Sequence, residues 1–382
     1  MTKNEYRQAA QNLVYLSTCV INEKIPNKEQ VSKMNLQQLY HVAKHHMMTA
    51  ITAYALESVG VHDEAFVQAK AKAMRKDALL TIEKDAVTAH LEAAGIWYMP
   101  LRGSFLKELY PAEWMRQMTD VDILFDANYR EKVKEIMENL GFTTTIFGKG
   151  GHHDCYQKPP VCDFEMHHSL FEPMSFEYVS RQSSDIVEYY KKVQKKLLPD
   201  NKSRYGRMLS NEDFYLYMIA HEYKHYAVVG AGVRSLLDTY IYWRKFGNLL
   251  DLNYLAKELQ TLGITKFEQE NRDLAFTLFE GEVLTTEQQE MFEYMLLSGA
   301  QGTYKNVLKN QLDRFGGGRK AKLKYCFNRI FPPMAYIKLS YPFVYKHKIL
   351  IPFLPIYRFG KGVVLYREQL KNEIVKLARV KK

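Results

Sequence analysis

The sequence predicts an α+β protein in which a small mixed-sheet core, about residues 96–170, stands between a helical N-terminal region and a helical C-terminal region. Three observations predict it. Proline-poor runs of strong helix formers fill residues 36–95, short β-branched and aromatic runs alternate with helical ones from Ile96, and long helical patterns resume at Asn211.

Taken in order, residues 36–60 and 63–95 read as helices, each ending on a glycine placed for a left-handed C-terminal cap. Residues 96–101 (IWYMPL) are a short strand-type run, and Arg102-Gly103-Ser104 opens a helical FLKELY that Pro111 ends. Residues 121–125 (VDILF) read as a buried strand. Residues 127–140 follow as an amphipathic helix, with Val133, Ile136, Met137 and Leu140 on one face and Gly141 as its stop. FTTTIF (142–147) is β-branched and aromatic, 148–151 is a turn, and VCDFEMH (161–167) alternates as a strand does. One long helical pattern then runs from Asn211 to Phe246, with shorter ones over 252–262 and 286–297. Arg314-Phe315-Gly316-Gly317-Gly318-Arg319 is the clearest linker. The expected division is an N-terminal helical region (1–95), the α/β core (96–175), a C-terminal helical domain (176–313) and a tail (314–382).

Composition narrows the function classes. Residues 1–22 hold Glu5 and Arg7 and lack a clean apolar run before a small-residue cleavage site, and the longest apolar run, residues 349–356, is short and broken by proline. Four cysteines without CxxC spacing read as reduced thiols. A soluble, cytoplasmic protein is expected. The net charge of +10 is uneven: residues 314–382 carry 17 Lys and Arg against two acids, Glu368 and Glu373, whereas residues 1–313 carry 36 basic against 41 acidic residues. That asymmetry asks for a polyanionic partner of the tail, whether nucleic acid, an anionic membrane surface or the acidic body itself.

Asp120 and Asp122, two apart at the start of a predicted strand, project to one face. Two carboxylates this close repel each other unless a divalent cation neutralises them, and oxygen ligands favour Mg2+ or Mn2+ over zinc. Upstream, Gly103-Ser104 opens a helix where backbone N–H groups can hold a phosphate. Downstream, Asp163 and Glu165 share a strand face with His167, so a third carboxylate can reach the same cleft.

The stretch Pro100-Leu101-Arg102-Gly103-Ser104-Phe105-Leu106, Arg116-x-x-x-Asp120-x-Asp122-Ile123-Leu124, Leu140-Gly141-Phe142 and Phe164-Glu165-Met166-His167 resembles the uncharacterised bacterial nucleotidyltransferases of the polymerase-beta-like superfamily. His221, His225, Arg234 and Asp238 resemble the helix pair that follows the core in that family. The resemblance spans roughly residues 35–245. It implies metal binding and catalysis by Asp120, Asp122 and Glu165, and phosphate contacts from Gly103 and Ser104. Lys107, Arg116, His167, His225 and Arg234 would line the nucleotide cleft. The implied reaction is in-line attack of an acceptor hydroxyl on the α-phosphate of a nucleoside triphosphate. Glu165 is preferred to Asp163 as third carboxylate because Glu-x-His matches the family. For Arg116 an ion pair with an aspartate stands beside the phosphate role. The acceptor stays open among a protein side chain, an RNA end, a sugar phosphate and an antibiotic-like molecule.

Other readings compete. A catalytically inactive nucleotide-binding or scaffold protein would keep the same fold. His221-Glu222-Tyr223-Lys224-His225 fits the H-E-x-x-H zinc pattern, but Lys224 stands immediately before the second histidine and no third ligand follows at an obvious spacing. Of the pairs His152-His153 and His167-His168, strand alternation lets at most one member each reach the cleft. In the tail, aromatics interleave with Lys and Arg, which suits nucleic-acid stacking or an interfacial membrane contact. Packing on the body is preferred because aromatics this frequent usually pack. Residues 363–380, with Leu370, Ile374 and Leu377 beside Lys371 and Lys376, read as a terminal amphipathic helix.

Overall fold

A computed structural model describes residues 1–148, 151–171 and 183–365. The chain divides into two compact units, residues 1–224 with 231–300, and residues 225–230 with 301–382. The division at Ala300 and Gln301 lies ahead of the glycine run at 316–318.

The first unit opens with helices α1 (Lys3–Ile21), α2 (Lys28–Ser32), α3 (Leu36–His45), α4 (Thr49–Glu57) and α5 (Glu64–Ala93). The sequence suggests one helix over 36–60, and the structure has two. Between them Met47 takes a left-handed φ of 55°, and His46 turns fully inward, where its Nδ1 accepts the Val233 N–H at 3.2 Å. Helix α5 runs thirty residues and buries Phe66, Ala73, Leu80 and Val87, a stripe repeating every seven residues. It ends ahead of Gly95, whose φ is 70°.

The sheet is built from β1 (Tyr98–Pro100), β2 (Val121–Phe125), β3 (Thr143–Ile146), β4 (His153–Lys158) and β5 (Cys162–His167), with the short helix α6 (Arg102–Leu106) after β1 and α7 (Arg130–Asn139) after β2. Its order is β1-β2-β5-β4-β3. β2 and β5 run parallel, and the other pairings are antiparallel. Period-two alternation sorts the side chains into two faces. Val121, Ile123, Phe125, Phe164 and Met166 pack against Leu80, Val87 and Leu91 of α5 and Val133, Ile136 and Met137 of α7. Each such side chain contributes about 1.5–3 kcal/mol by leaving water. Asp122, Glu165 and His167 are left on the opposite face.

Beyond the sheet come α8 (Ser183–Gln194), the two-stranded ribbon of β6 (Leu198–Pro199) and β7 (Arg207–Met208), then α9 (Asn211–Val228), α10 (Val233–Phe246), α11 (Leu252–Leu262), α12 (Thr265–Glu280) and α13 (Thr286–Ser298). The single pattern expected over 211–246 is thus two helices. At the break, a Cβ on Gly232 would lie 2.8 Å from the backbone of Gly299 and Ala300, so only glycine lets those segments meet.

The second unit contains α14 (Tyr304–Arg314), α15 (Gly318–Ile330), α16 (Met334–Ser340), α17 (Pro342–Lys346) and α18 (Leu354–Leu365). Leu308, Leu312, Ala321 and Tyr325 form its core. Of the tail aromatics Tyr325 is buried in that core, whereas Phe327, Phe331, Phe343, Phe353 and Phe359 are exposed. Leu370, Ile374 and Leu377, expected on a terminal helix, lie outside the described residues, as does the 175/176 boundary. Among the described residues no helix is long and apolar enough to cross a membrane.

Candidate active site

Strand register builds the site. On the parallel pair β2–β5, Asp122 stands directly opposite Glu165. On the antiparallel pair β4–β5, Cys155 stands opposite Glu165 and His153 opposite His167. Asp120 lies just before β2, two residues from Asp122, and close enough to feel the charges of Asp122 and Glu165. The Leu101 N–H donates to the Asp122 carbonyl at 2.9 Å, so Arg102-Gly103-Ser104 starts beside the carboxylates. A Cβ on Gly103 would meet Arg116 Nη1 and Met118 Sδ, each at 3.3 Å, so the turn is closely packed. The helix that follows is short: α6 has five residues before a 3-10 turn over Lys107–Leu109.

The electrostatics follow from this crowding. Burial, then the charge of Asp122, with Glu165 adding, pushes Asp120 up to about 6, against the hydrogen bond that Thr119 Oγ1 donates at 2.9 Å. Burial also pushes Asp122 up. The hydrogen bond and charge of His167 outweigh it, with Arg102 and His153 adding, and hold Asp122 below its ordinary value. His167 Nε2 lies 3.0 Å from Asp122 Oδ1 and 3.6 Å from Glu165 Oε2. Burial disfavours its charge, but the hydrogen bonds to those two carboxylates lift His167 to about 9. Asp122, Glu165 and His167 each offer a ligand atom within 4.8 Å of the others.

Histidines supply more than the alternation rule allows. His152 precedes β4, so alternation does not govern it. The rings of His152, His153 and His167 stand 4.7–5.0 Å apart, centroid to centroid, so both members of the first pair lie beside His167, which corrects the expectation that at most one would. His153 Nε2 is 3.5 Å from Glu165 Oε2. Cys155 forms a further cluster with His153 and Glu165. Asp163, the alternative third carboxylate, accepts from Gln157 Nε2 at 2.8 Å on the exposed side.

Other expected residues have different partners. Lys107 is buried and donates to Asp77 and Thr81, each at 2.8 Å, with Glu113 at 2.7 Å, so its charge is neutralised away from the carboxylates. Arg116 forks onto Asp238 through two bonds of 2.8 Å, and Tyr110 donates to the same carboxylate at 2.8 Å, so the ion-pair role is the one realised. Arg234 donates to the Gln117 carbonyl, three residues from Asp120, and burial, with Arg116 beside it, lowers it to about 10. His221 meets Arg102, and Arg102 Nε is buried with no hydrogen-bond partner among the described residues. Glu222 is buried, where it accepts from Asn271 at 2.9 Å and where desolvation raises its pKa. His225 belongs to the second unit, and neither it nor His221 stands in a group of three metal-capable side chains among the described residues. The H-E-x-x-H reading therefore finds no metal-binding cluster.

Paired carboxylates on neighbouring parallel strands, beside a helix that opens on Gly-Ser, define a nucleotidyltransferase-type core. A family model described as "uncharacterised nucleotidyltransferase" matches residues 32–280, more than half of the chain, and the chain belongs to that family. Membership makes it a transferase of the nucleotidyl class. No curated protein and no solved structure matches it.

Proposed function

We propose that the protein is a metal-dependent nucleotidyltransferase that moves a nucleoside monophosphate from a nucleoside triphosphate to a hydroxyl of an acceptor. The observation that carries this is Asp122 facing Glu165 across parallel strands, with Asp120 beside them raised to about 6 by burial and like charge. A half-buried cluster of like charges is costly without a counter-cation.

The carboxylate oxygens of Asp122 and Glu165, with Asp120 close enough to feel both charges, would suit Mg2+ or Mn2+. Such a cation, when bound, neutralises charge on the attacking oxygen and on the departing pyrophosphate. The chain's own groups position the rest. The Ser104 N–H is taken by the Leu101 carbonyl at 3.0 Å, which leaves the Gly103 N–H to meet a phosphate, and Arg102, whose charge is felt at Asp122, offers its Nε to a phosphate oxygen. His167 orients Asp122 through the 3.0 Å bond. In the reaction a bond forms between the acceptor oxygen and the α-phosphorus, the bond to the bridging oxygen of the β-phosphate breaks, pyrophosphate leaves and the hydroxyl proton is released.

The test is incubation with Mg2+ or Mn2+, each α-labelled nucleoside triphosphate and a panel of hydroxyl acceptors. Metal-dependent nucleotide binding and label transfer are expected, both lost in Asp120→Asn and Asp122→Asn. Absence of metal-dependent nucleotide binding, or binding and transfer unchanged by those substitutions, refutes the proposal.

A further inference from the structure

Helix α15 carries two apolar stripes. Ala321 and Tyr325 face inward onto Leu308 and Leu312 of α14. Leu323, Phe327 and Ile330, spaced i, i+4 and i+7 along the same helix, are 71, 59 and 50% exposed, and Phe331 continues their line. Further along the unit, Phe343, Ile349, Phe353, Ile356 and Phe359 are between 63 and 81% exposed. Proteins that stay in water rarely show this much large apolar surface, and a patch of this kind marks an interaction site. The charge around it has one sign. Residues 319–361 hold ten Lys and Arg and not one Asp or Glu, and Arg319, Lys320, Lys324 and Arg329 are exposed on α15 itself.

Charge of one sign is complemented by a polyanion, and the apolar side chains discriminate among polyanions. A nucleic acid offers phosphates and the flat faces of bases, on which aromatic rings stack but Leu323, Ile330, Ile349 and Ile356 gain little. An anionic bilayer offers phosphates at the level of the Lys and Arg side chains and hydrocarbon just beneath, where aliphatic and aromatic side chains both leave water. Helices α15 to α18 have 13, 7, 5 and 12 residues, so they suit the plane of the interface and not a crossing of it.

We infer that the C-terminal unit docks on an anionic lipid surface, with the Leu323, Phe327 and Ile330 stripe among the acyl chains and the surrounding cations at the headgroups. The test is co-sedimentation of the full-length protein with vesicles of phosphatidylcholine alone, and with vesicles containing about a third phosphatidylglycerol. The protein sediments with the anionic vesicles, stays in solution with the neutral ones, and is released by salt. Leu323→Glu/Phe327→Glu lowers the bound fraction about tenfold. Because both side chains are exposed, the variant keeps the parent's thermal melt and metal-dependent nucleotide binding. Lys320→Glu/Lys324→Glu, which leaves the stripe intact, weakens binding to the anionic vesicles as well. Three results would overturn the inference. One is no binding to anionic vesicles, or binding unmoved by the stripe substitutions. A second is tighter binding to an RNA oligonucleotide that ignores the stripe, which assigns the surface to nucleic acid. The third is a dimer in solution that the stripe substitutions dissociate, which assigns it to a second copy of the chain.

Discussion

Asp238→Ala removes the one carboxylate that three buried donors share. Arg116 gives it two hydrogen bonds of 2.8 Å and Tyr110 a third at the same length, with Arg116 at 4% and Asp238 at 2% exposure. Taking away one partner leaves a guanidinium charge buried and uncompensated, which costs about 3–5 kcal/mol. The orphaned Tyr110 hydroxyl adds about 1–3 kcal/mol, less whatever a water entering the space returns. Out of a stability of about 5–15 kcal/mol, such a loss is large. Urea unfolding followed by circular dichroism measures it directly. Arg116→Met/Asp238→Leu, which removes both charges, recovers most of the loss, because a buried ion pair replaced by apolar groups of similar volume is close to neutral. If Asp238→Ala unfolds within about 1 kcal/mol of the parent, or if the double variant is no more stable than the single one, the uncompensated-charge argument is wrong.

Glu165→Gln abolishes nucleotidyl transfer while Asp163→Asn leaves it near the parent rate, because Glu165 faces Asp122 and Asp163 faces Gln157; equal losses in the two would reassign the third carboxylate. Gly103→Val forces its Cβ onto Arg116 Nη1 and Met118 Sδ and weakens nucleotide affinity by about tenfold or more, read by titration with a fluorescent nucleotide. Stability is pH-dependent through His46, which burial, with His45 adding, pulls down to about 3. Below about pH 6.5 the unfolded chain binds a proton at this position and the native state does not, so stability falls with pH by up to roughly 1.4 kcal/mol per unit until about pH 3. His46→Gln removes that slope, and equal slopes for parent and variant in denaturation at pH 5 and 7 would contradict the assignment.

Much of the core was legible because its signals are local. Alternation in VDILF and CDFEMH put Val121, Ile123, Phe164 and Met166 on the buried face and Asp122, Glu165 and His167 on the other, as found. Gly95 and Gly141 take the left-handed φ values of 70° and 85° that their places after α5 and α7 suggest. What the sequence hides is partnership at long range. Lys107 and Arg116 sit inside the family motif, yet their charges are matched by Asp77 on α5 and Asp238 on α10, and no spacing near the motif reveals that. His152 stands one residue ahead of β4, so strand alternation does not fix which way it faces. The breaks at Met47 and Gly232 depend on what the backbone meets in three dimensions, an inward histidine in one case and the 299–300 segment in the other.

The parallel pairing of β2 with β5 also fixes when the site can exist. Hairpins such as β3–β4 and β4–β5 close between near neighbours in the chain, but Asp122 meets Glu165 only after the 42 intervening residues have folded back to place β5 alongside β2. A growing chain released before Cys162 carries both aspartates and no site. On the proposed function, metal-dependent nucleotide binding would report completion of the sheet, because a chain that stops before Cys162 holds only two of the three carboxylates.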